Sequence, residues 1–165
     1  MRVSTIINES ELPDRFRQVF KIASKEAWRH RVQNHVARER ENPFLKDYFD
    51  ERYSIERSLV RALEYQQHWG RFPPVRGAQA GRYFELYSFV HILSGVYDRL
   101  SPKGQSRVRG YLKGGLKSDA GLAPFAHELA VAVHLWTAGF DLEGSSRLRL
   151  GARTSSAECG AGLRH

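Results

Sequence analysis

The chain has 165 residues, 41% of them hydrophobic, which suits one domain with a core, or one domain plus an unfolded end, and excludes disorder throughout. Its formal net charge of +8 and its arginine-rich composition make nucleic acid a candidate partner, although the same charge could serve solubility alone. The longest nearly apolar run, Leu129 to Trp136, is too short to cross a bilayer, and one cysteine, Cys159, excludes an internal disulfide, so a cytoplasmic protein without a membrane span is expected.

The N-terminal half is expected to contain, in chain order, a short strand at 3–7, a helix at 10–41, a second helix at 42–68 and an extended loop at 71–77. Ser10 is a suitable N-cap for the first helix, and Asn42-Pro43 provides both its end and the start of the next. Gly70 is a suitable left-handed terminator for the second helix.

The C-terminal half is expected to contain, in chain order, a central helix at 82–100, a glycine-weakened helix at 101–116, an apolar helix at 121–138, a short strand at 140–143 and a disordered tail at 144–165. The fold class predicted is therefore mainly α, a helical array of about five helices with at most one or two short strands. Residues 1–143 form the helical domain in this interpretation.

One carboxylate, Glu128, falls on the otherwise apolar helix near the end of this domain. It shares a face with Val131, Ala132 and Leu135 at offsets of three, four and seven residues, so its charge would be costly there without an ion pair or a metal. The more ordinary interpretation is a partly exposed or salt-bridged residue on a packing helix.

The segment 116–143, a helix that carries Glu128 and leads into a short strand with Asp141, resembles the start of the PD-(D/E)XK phosphodiesterase superfamily, the restriction-endonuclease-like fold. In that family a helix glutamate and acidic residues on the following strands hold one or two magnesium ions, which polarise the phosphate and activate a water, while a lysine helps to orient it. The resemblance therefore implies that Glu128 is catalytic and binds metal with Asp141, with Mg²⁺ as the cofactor of a completed core.

The chain departs from this family pattern after Glu143. Residues 144–150 offer no aspartate flanked by apolar residues, and residues 157–160 lack the lysine of an acid-x-lysine strand. We therefore expect an inactive or truncated nuclease-like protein that retains an interaction with DNA and is not an enzyme as it stands. The competing expectation is a non-enzymatic basic helical module that binds nucleic acid or a protein partner, and the oligomeric state stays open.

Two further pairs of residues could carry chemistry. His127 and His134 are about 10.5 Å apart along a helix, too far for both to bind one zinc ion, so they are expected to be core or surface histidines. Asp141 and Glu143 would point to the same side of a strand and could bind a cation or act as an acid–base pair. The ordinary alternative is that they are polar residues at the end of an edge.

A run of basic residues is the other candidate site, because no acidic residue lies between Asp98 and Asp119. At 100° per residue five cations fall within one side of a helix that could lie along phosphates, namely Lys103, Arg107, Arg109, Lys113 and Lys117. Three arginines interleaved with aromatic residues could add stacking and backbone contacts, as in single-strand binders; the set is Arg71, Arg76, Arg82, Phe72, Tyr83 and Phe84. The alternative is a solvated helix face plus a basic loop.

Overall fold

The computed structural model describes residues 7–76 and 80–138. Over these residues the chain forms seven α-helices and no strand. The helices are α1 (Leu12–Ile22), α2 (Lys25–Glu41), α3 (Leu45–Arg52), α4 (Ser54–Trp69), α5 (Ala80–Tyr97), α6 (Pro102–Gly115) and α7 (Ala123–Thr137). The predicted mainly helical fold class is confirmed. The predicted strand at 140–143, the tail at 144–165 and most of the strand at 3–7 lie outside the described residues.

The expected helix at 10–41 is wrong as a single element, because the chain breaks between α1 and α2. Ala23 is extended, and Ser24 caps α2 by accepting a hydrogen bond from the backbone N–H of Ala27 at 3.4 Å. The buried Trp28 indole donates to the carbonyl of Ala23 at 3.2 Å, so the break provides a hydrogen-bond acceptor for a core side chain. At the N-terminal end the capping side chain is Asn8, not the expected Ser10.

The expected helix at 42–68 is likewise divided, into α3 and α4. The break lies at Tyr53, whose backbone leaves the helical region with φ −117° and ψ 36°. Its ring is buried, with 1% of its surface exposed, and its hydroxyl donates to the carbonyl of Asp119, 66 residues away, at 2.8 Å. Gly70 ends α4 with φ +69°, as predicted for a left-handed terminator.

α5 lies at the centre of the fold, in agreement with its predicted apolar stripes. It packs against α1, α4, α6 and α7, so apolar residues such as Leu86, Val90 and Leu93 are buried. Tyr87 is also buried, which raises the pKa of its hydroxyl above the usual range. That hydroxyl donates to the carbonyl of Pro73 at 2.5 Å and ties the loop after α4 to the core.

α6 and α7 begin close to their predicted positions and pack against each other and against α5. Ser101 caps α6 by accepting from the backbone N–H of Gly104 at 3.2 Å, with Pro102 in the first turn. Only one side of α7 faces the core, because Leu129 is buried while Val131 is 44% exposed. None of the helices in the described part of the chain combines the length and apolar character needed to cross a bilayer.

Candidate nucleic-acid interface

The outer side of α6 carries the predicted basic residues. Val108 and Leu112 bury the inner side of the helix against the core. All the predicted cations are exposed, and four of them lie on α6 while the fifth follows its last turn: Lys103, Arg107, Arg109, Lys113 and Lys117. At 100° per residue they span about 160°, centred opposite the buried side chains. We call this set the basic face.

The helix that carries the basic face has no acidic side chain of its own. Residues 99–118 contain no aspartate or glutamate. Within the described part of the chain, no ion pair includes Lys103, Lys113 or Lys117. Arg109 donates to the hydroxyl of Tyr97 at 2.9 Å, which orients its guanidinium while leaving most of its donors available. The basic face is therefore a positive surface in which the guanidinium of Arg109 is held in place by Tyr97.

Two glycines lie in the middle of the basic face. Gly110 and Gly114 are exposed, and a Cβ added at either position would meet nothing within 4 Å. With Ser106 they form a narrow row at offsets of four residues, flanked by the cations. Since the fold itself leaves room for larger side chains there, the row lets an external group approach the helix backbone between the charges.

The connection between α6 and α7 is held to the rest of the molecule through its backbone carbonyls. Arg31 donates to the carbonyl of Ser118. The hydroxyl of Tyr53 and Nε of Arg52 both donate to the carbonyl of Asp119, each at 2.8 Å. These contacts come from α2, from α3 and from the break between α3 and α4, and they set the position of Lys117 at the end of the basic face.

Glu56 completes this connection from inside the protein. It is fully buried, and Oε1 accepts a hydrogen bond from the backbone N–H of Leu122 at 2.9 Å. Oε2 has no hydrogen-bond partner among the described residues, and burial raises the pKa of this carboxyl to about 7. Gly121 fits beside it with φ +69°, where an added Cβ would stand 2.7 Å from the ring of Tyr53.

The sequence interpretation missed Glu56, although a signal was present. Glu56 shares a helix face with the buried Leu59 and Leu63 at offsets of three and seven residues, which is the same pattern that singled out Glu128. Apolar neighbours at these offsets would have made Glu56 a second candidate beside Glu128, and only packing shows that Glu56 is the fully buried one. Its role in this position is to hold the backbone of the α6–α7 connection.

His35 is the second buried titratable group of this region. Its ring stacks on that of Tyr53, with centroids 4.0 Å apart and an angle of 19° between the planes. Burial, and then the nearby charge of Arg31, lower the pKa of His35 to about 4, so the imidazole is neutral at pH 7. Neither ring nitrogen has a hydrogen-bond partner among the described residues.

A buried arginine links α2, α3 and α4 close to His35. Arg57 forms a bidentate pair with Glu39 and a second ion pair with Asp50 at 3.1 Å. Asp50 also pairs with Arg61 at 3.1 Å. These ion pairs link the three helices, and removing one partner would leave the largely buried charge of Arg57 uncompensated.

The predicted metal-binding carboxylate lies on α7, where Glu128 is half-buried between the exposed His127 and the buried Leu129. His134 is exposed as well, so both histidines lie at the surface, which is one of the two placements expected for them. In residues 7–76 and 80–138, no group of three or more His, Cys, Asp or Glu side chains is placed to hold a metal ion. Asp141, the other predicted ligand, lies outside the described residues, as does Glu143.

The aromatic residues near the loop arginines are mostly core residues. Phe72 stacks on Phe16 with ring centroids 4.3 Å apart, and Tyr83 is only 6% exposed. The expectation that these two rings stack on bases is therefore wrong, because both rings are buried in the core. Phe84 is 69% exposed and is the member of this set with a free ring surface.

Comparison with known proteins gives no relative from which a role could be transferred. No protein-family model, curated protein or solved structure matches the chain. The resemblance of residues 116–143 to the PD-(D/E)XK superfamily therefore stays a prediction.

Proposed function

We propose that this chain is a non-enzymatic helical module that binds nucleic acid through the basic face. The observation that carries the proposal is the placement of four exposed cations on the side of α6 opposite its buried residues and of a fifth just after its last turn, in a stretch that has no acidic side chain. A surface of this kind matches the regular negative charge of a sugar-phosphate backbone.

The row of small residues in the basic face supports the same proposal. Glycine in an exposed helix costs about 1 kcal/mol relative to alanine, and the fold gives no steric reason for Gly110 or Gly114. A backbone phosphate approaching between the flanking cations would meet peptide groups instead of side chains. Contacts to phosphate carry no sequence information, so we propose binding that is largely independent of base sequence.

Binding of a fluorescently labelled 20-base-pair duplex, followed by anisotropy over a series of salt concentrations, tests the proposal. The triple variant Lys103→Gln, Lys113→Gln, Lys117→Gln is expected to bind more weakly at low salt. Because each phosphate contact contributes about 0.9 to the slope of log K against log salt, the slope should become shallower by about 2.7.

A second triple variant controls for net charge. Arg29→Gln, Arg40→Gln and Lys46→Gln remove the same three charges from exposed positions on α2 and α3. If the basic face is the interface, this control keeps most of the affinity and the slope of the wild-type protein. Equal losses in both variants would contradict the proposal, since only the overall charge would then matter.

The nuclease resemblance is tested with the same protein and plasmid DNA in the presence of Mg²⁺. Half-buried Glu128 forms no ion pair within the described residues, so its carboxylate would be free to take a cation. Cleavage that Glu128→Ala abolishes would favour a nuclease. Salt-sensitive binding without cleavage would favour the non-enzymatic module that we propose.

A further inference from the structure

A cavity of about 460 Å³ lies between α1, the end of α5 and α6, beside the basic face. Arg17 and Lys21 reach it from α1, and Arg109 reaches it from α6. Its volume is in the range of sites that hold small molecules. It is larger than a single inorganic anion needs, so an occupant would have an organic body as well as a charged group.

The charges around this cavity leave a positive excess. Three cations, Arg17, Lys21 and Arg109, and two carboxylates, Asp14 and Asp98, line it. Asp14 is already paired with Arg17 at 2.7 Å on the same helix, whereas no ion pair in the described part of the chain includes Lys21 or Arg109. An anion in the cavity would balance this positive excess.

Hydrogen bonds to Tyr97 fix the α6 side of the cavity. Tyr97 is nearly buried at the end of α5, and its hydroxyl accepts from Arg109 at 2.9 Å. The amide nitrogen of Gln105 donates to the backbone carbonyl of Tyr97 at 3.1 Å. The guanidinium is therefore oriented before any ligand binds, which lowers the entropic cost of binding.

We infer that this cavity binds a phosphomonoester, taken either from a free nucleotide or from the phosphorylated end of a nucleic-acid strand. A phosphomonoester carries a charge of about −1.5 to −2 at pH 7 and fits guanidinium groups through paired hydrogen bonds. Asp14 and Asp98 then serve as acceptors for hydroxyl or amino groups of the organic body. The site differs from the basic face, which faces phosphodiesters, and shares Arg109 with it.

Isothermal titration calorimetry with adenosine 5′-monophosphate and with adenosine tests the inference directly. The phosphorylated compound is expected to bind and adenosine is not. Lys21→Gln is expected to weaken this binding about tenfold, since a hydrogen bond to a charged group is worth about 1.5 kcal/mol or more. The matched control is Lys46→Gln, an exposed lysine outside the cavity, which should bind like the wild-type protein.

A pair of short single strands, with a 5′-phosphate or a 5′-hydroxyl, separates the two sources of the ligand. Tighter binding of the phosphorylated strand, lost in Lys21→Gln, supports the inference even if the free nucleotide binds too weakly to detect. The inference is overturned if adenosine binds as well as its phosphate, if Lys21→Gln changes nothing, or if neither phosphomonoester binds at millimolar concentration. Because Lys21 lies outside the basic face, duplex binding is expected to survive its replacement, so the two proposals fail separately.

Discussion

Glu56 makes the stability of the protein depend on pH through a single carboxyl. Its pKa is raised from 4.5 to about 7 in the folded state, so folding favours the protonated form and stability falls as pH rises between these values. Glu56→Gln keeps an oxygen that can accept from Leu122 and removes the charge. We expect the variant to gain about 3 kcal/mol in unfolding free energy at pH 8, with the difference vanishing below pH 4.5.

Urea unfolding at pH 4.5 and pH 8 measures this difference. Glu64→Gln is the matched control, because Glu64 is exposed on the same helix and should show no such pH-dependent gain. A Glu56→Gln protein that is less stable than the wild type at pH 8 would contradict the burial of an unpaired carboxylate oxygen.

The titration of His35 has the opposite effect on the pH dependence of stability. Its pKa is lowered from 6.5 to about 4, so its contribution to stability is complete above pH 6.5 and is lost as pH falls toward 4. His35→Phe keeps a ring against Tyr53 and cannot titrate. Between pH 4.5 and 6.5 we expect the unfolding free energy of His35→Phe to fall with rising pH, because Glu56 still titrates. Over the same range we expect the unfolding free energy of Glu56→Gln to rise with pH, because His35 still titrates. Urea unfolding across this range should show a flatter profile for the wild type.

The residues of the basic face could be located from the sequence, but the buried polar residues Glu56 and His35 could not. A run of basic residues without acidic ones is expected on the solvent-exposed side of a helix, because burying charged side chains is costly. Glu56 and Glu128 look alike in sequence, since each has apolar neighbours at offsets of three and seven residues. Glu56 differs from Glu128 because the α6–α7 connection covers it. Leu122 of that connection is 66 residues away from Glu56 in the sequence.

At the scale of a single helix, the glycines of α6 differ in what surrounds them. Gly110→Ala and Gly114→Ala place a methyl group in open space, so each is expected to stabilise the protein by about 1 kcal/mol. Gly115→Ala is the contrasting change, because its Cβ would stand 2.6 Å from a methyl group of Leu122 and 3.2 Å from the carbonyl of Gly121. Thermal unfolding should rank the first two variants above the wild type and the third below it.

Helix type and approximate position could be predicted from apolar spacing, whereas the two breaks could not. Ala23 and Tyr53 are both compatible with a helix interior, so the periodic pattern passes through them. The break at Ala23 frees a carbonyl for the buried indole of Trp28, and the break at Tyr53 aims a hydroxyl at Asp119. Both interactions are side-chain contacts that override helix propensity, and apolar spacing does not report them.

At the scale of the whole molecule, Tyr53 connects its two halves. Its hydroxyl donates to Asp119 at 2.8 Å, and Tyr53→Phe removes that bond while keeping the ring. We expect a loss of about 1 kcal/mol in unfolding free energy and faster hydrogen exchange at the amides of residues 118–122. Tyr48→Phe is the control, since that ring is 49% exposed. Unchanged exchange in Tyr53→Phe would mean that Arg31 and Arg52 hold the connection without it.

The length of α6 also sets a length scale for a ligand that lies along it. Lys103 and Lys113, near the two ends of α6, stand about 15 Å apart along the axis, because each residue of a helix advances about 1.5 Å. A duplex advances about 3.4 Å along its axis per base pair, so α6 lying parallel to that axis would cover about four base pairs. A duplex of about four base pairs would therefore match the length of this part of the basic face, and a longer one would gain only from having more places at which to bind.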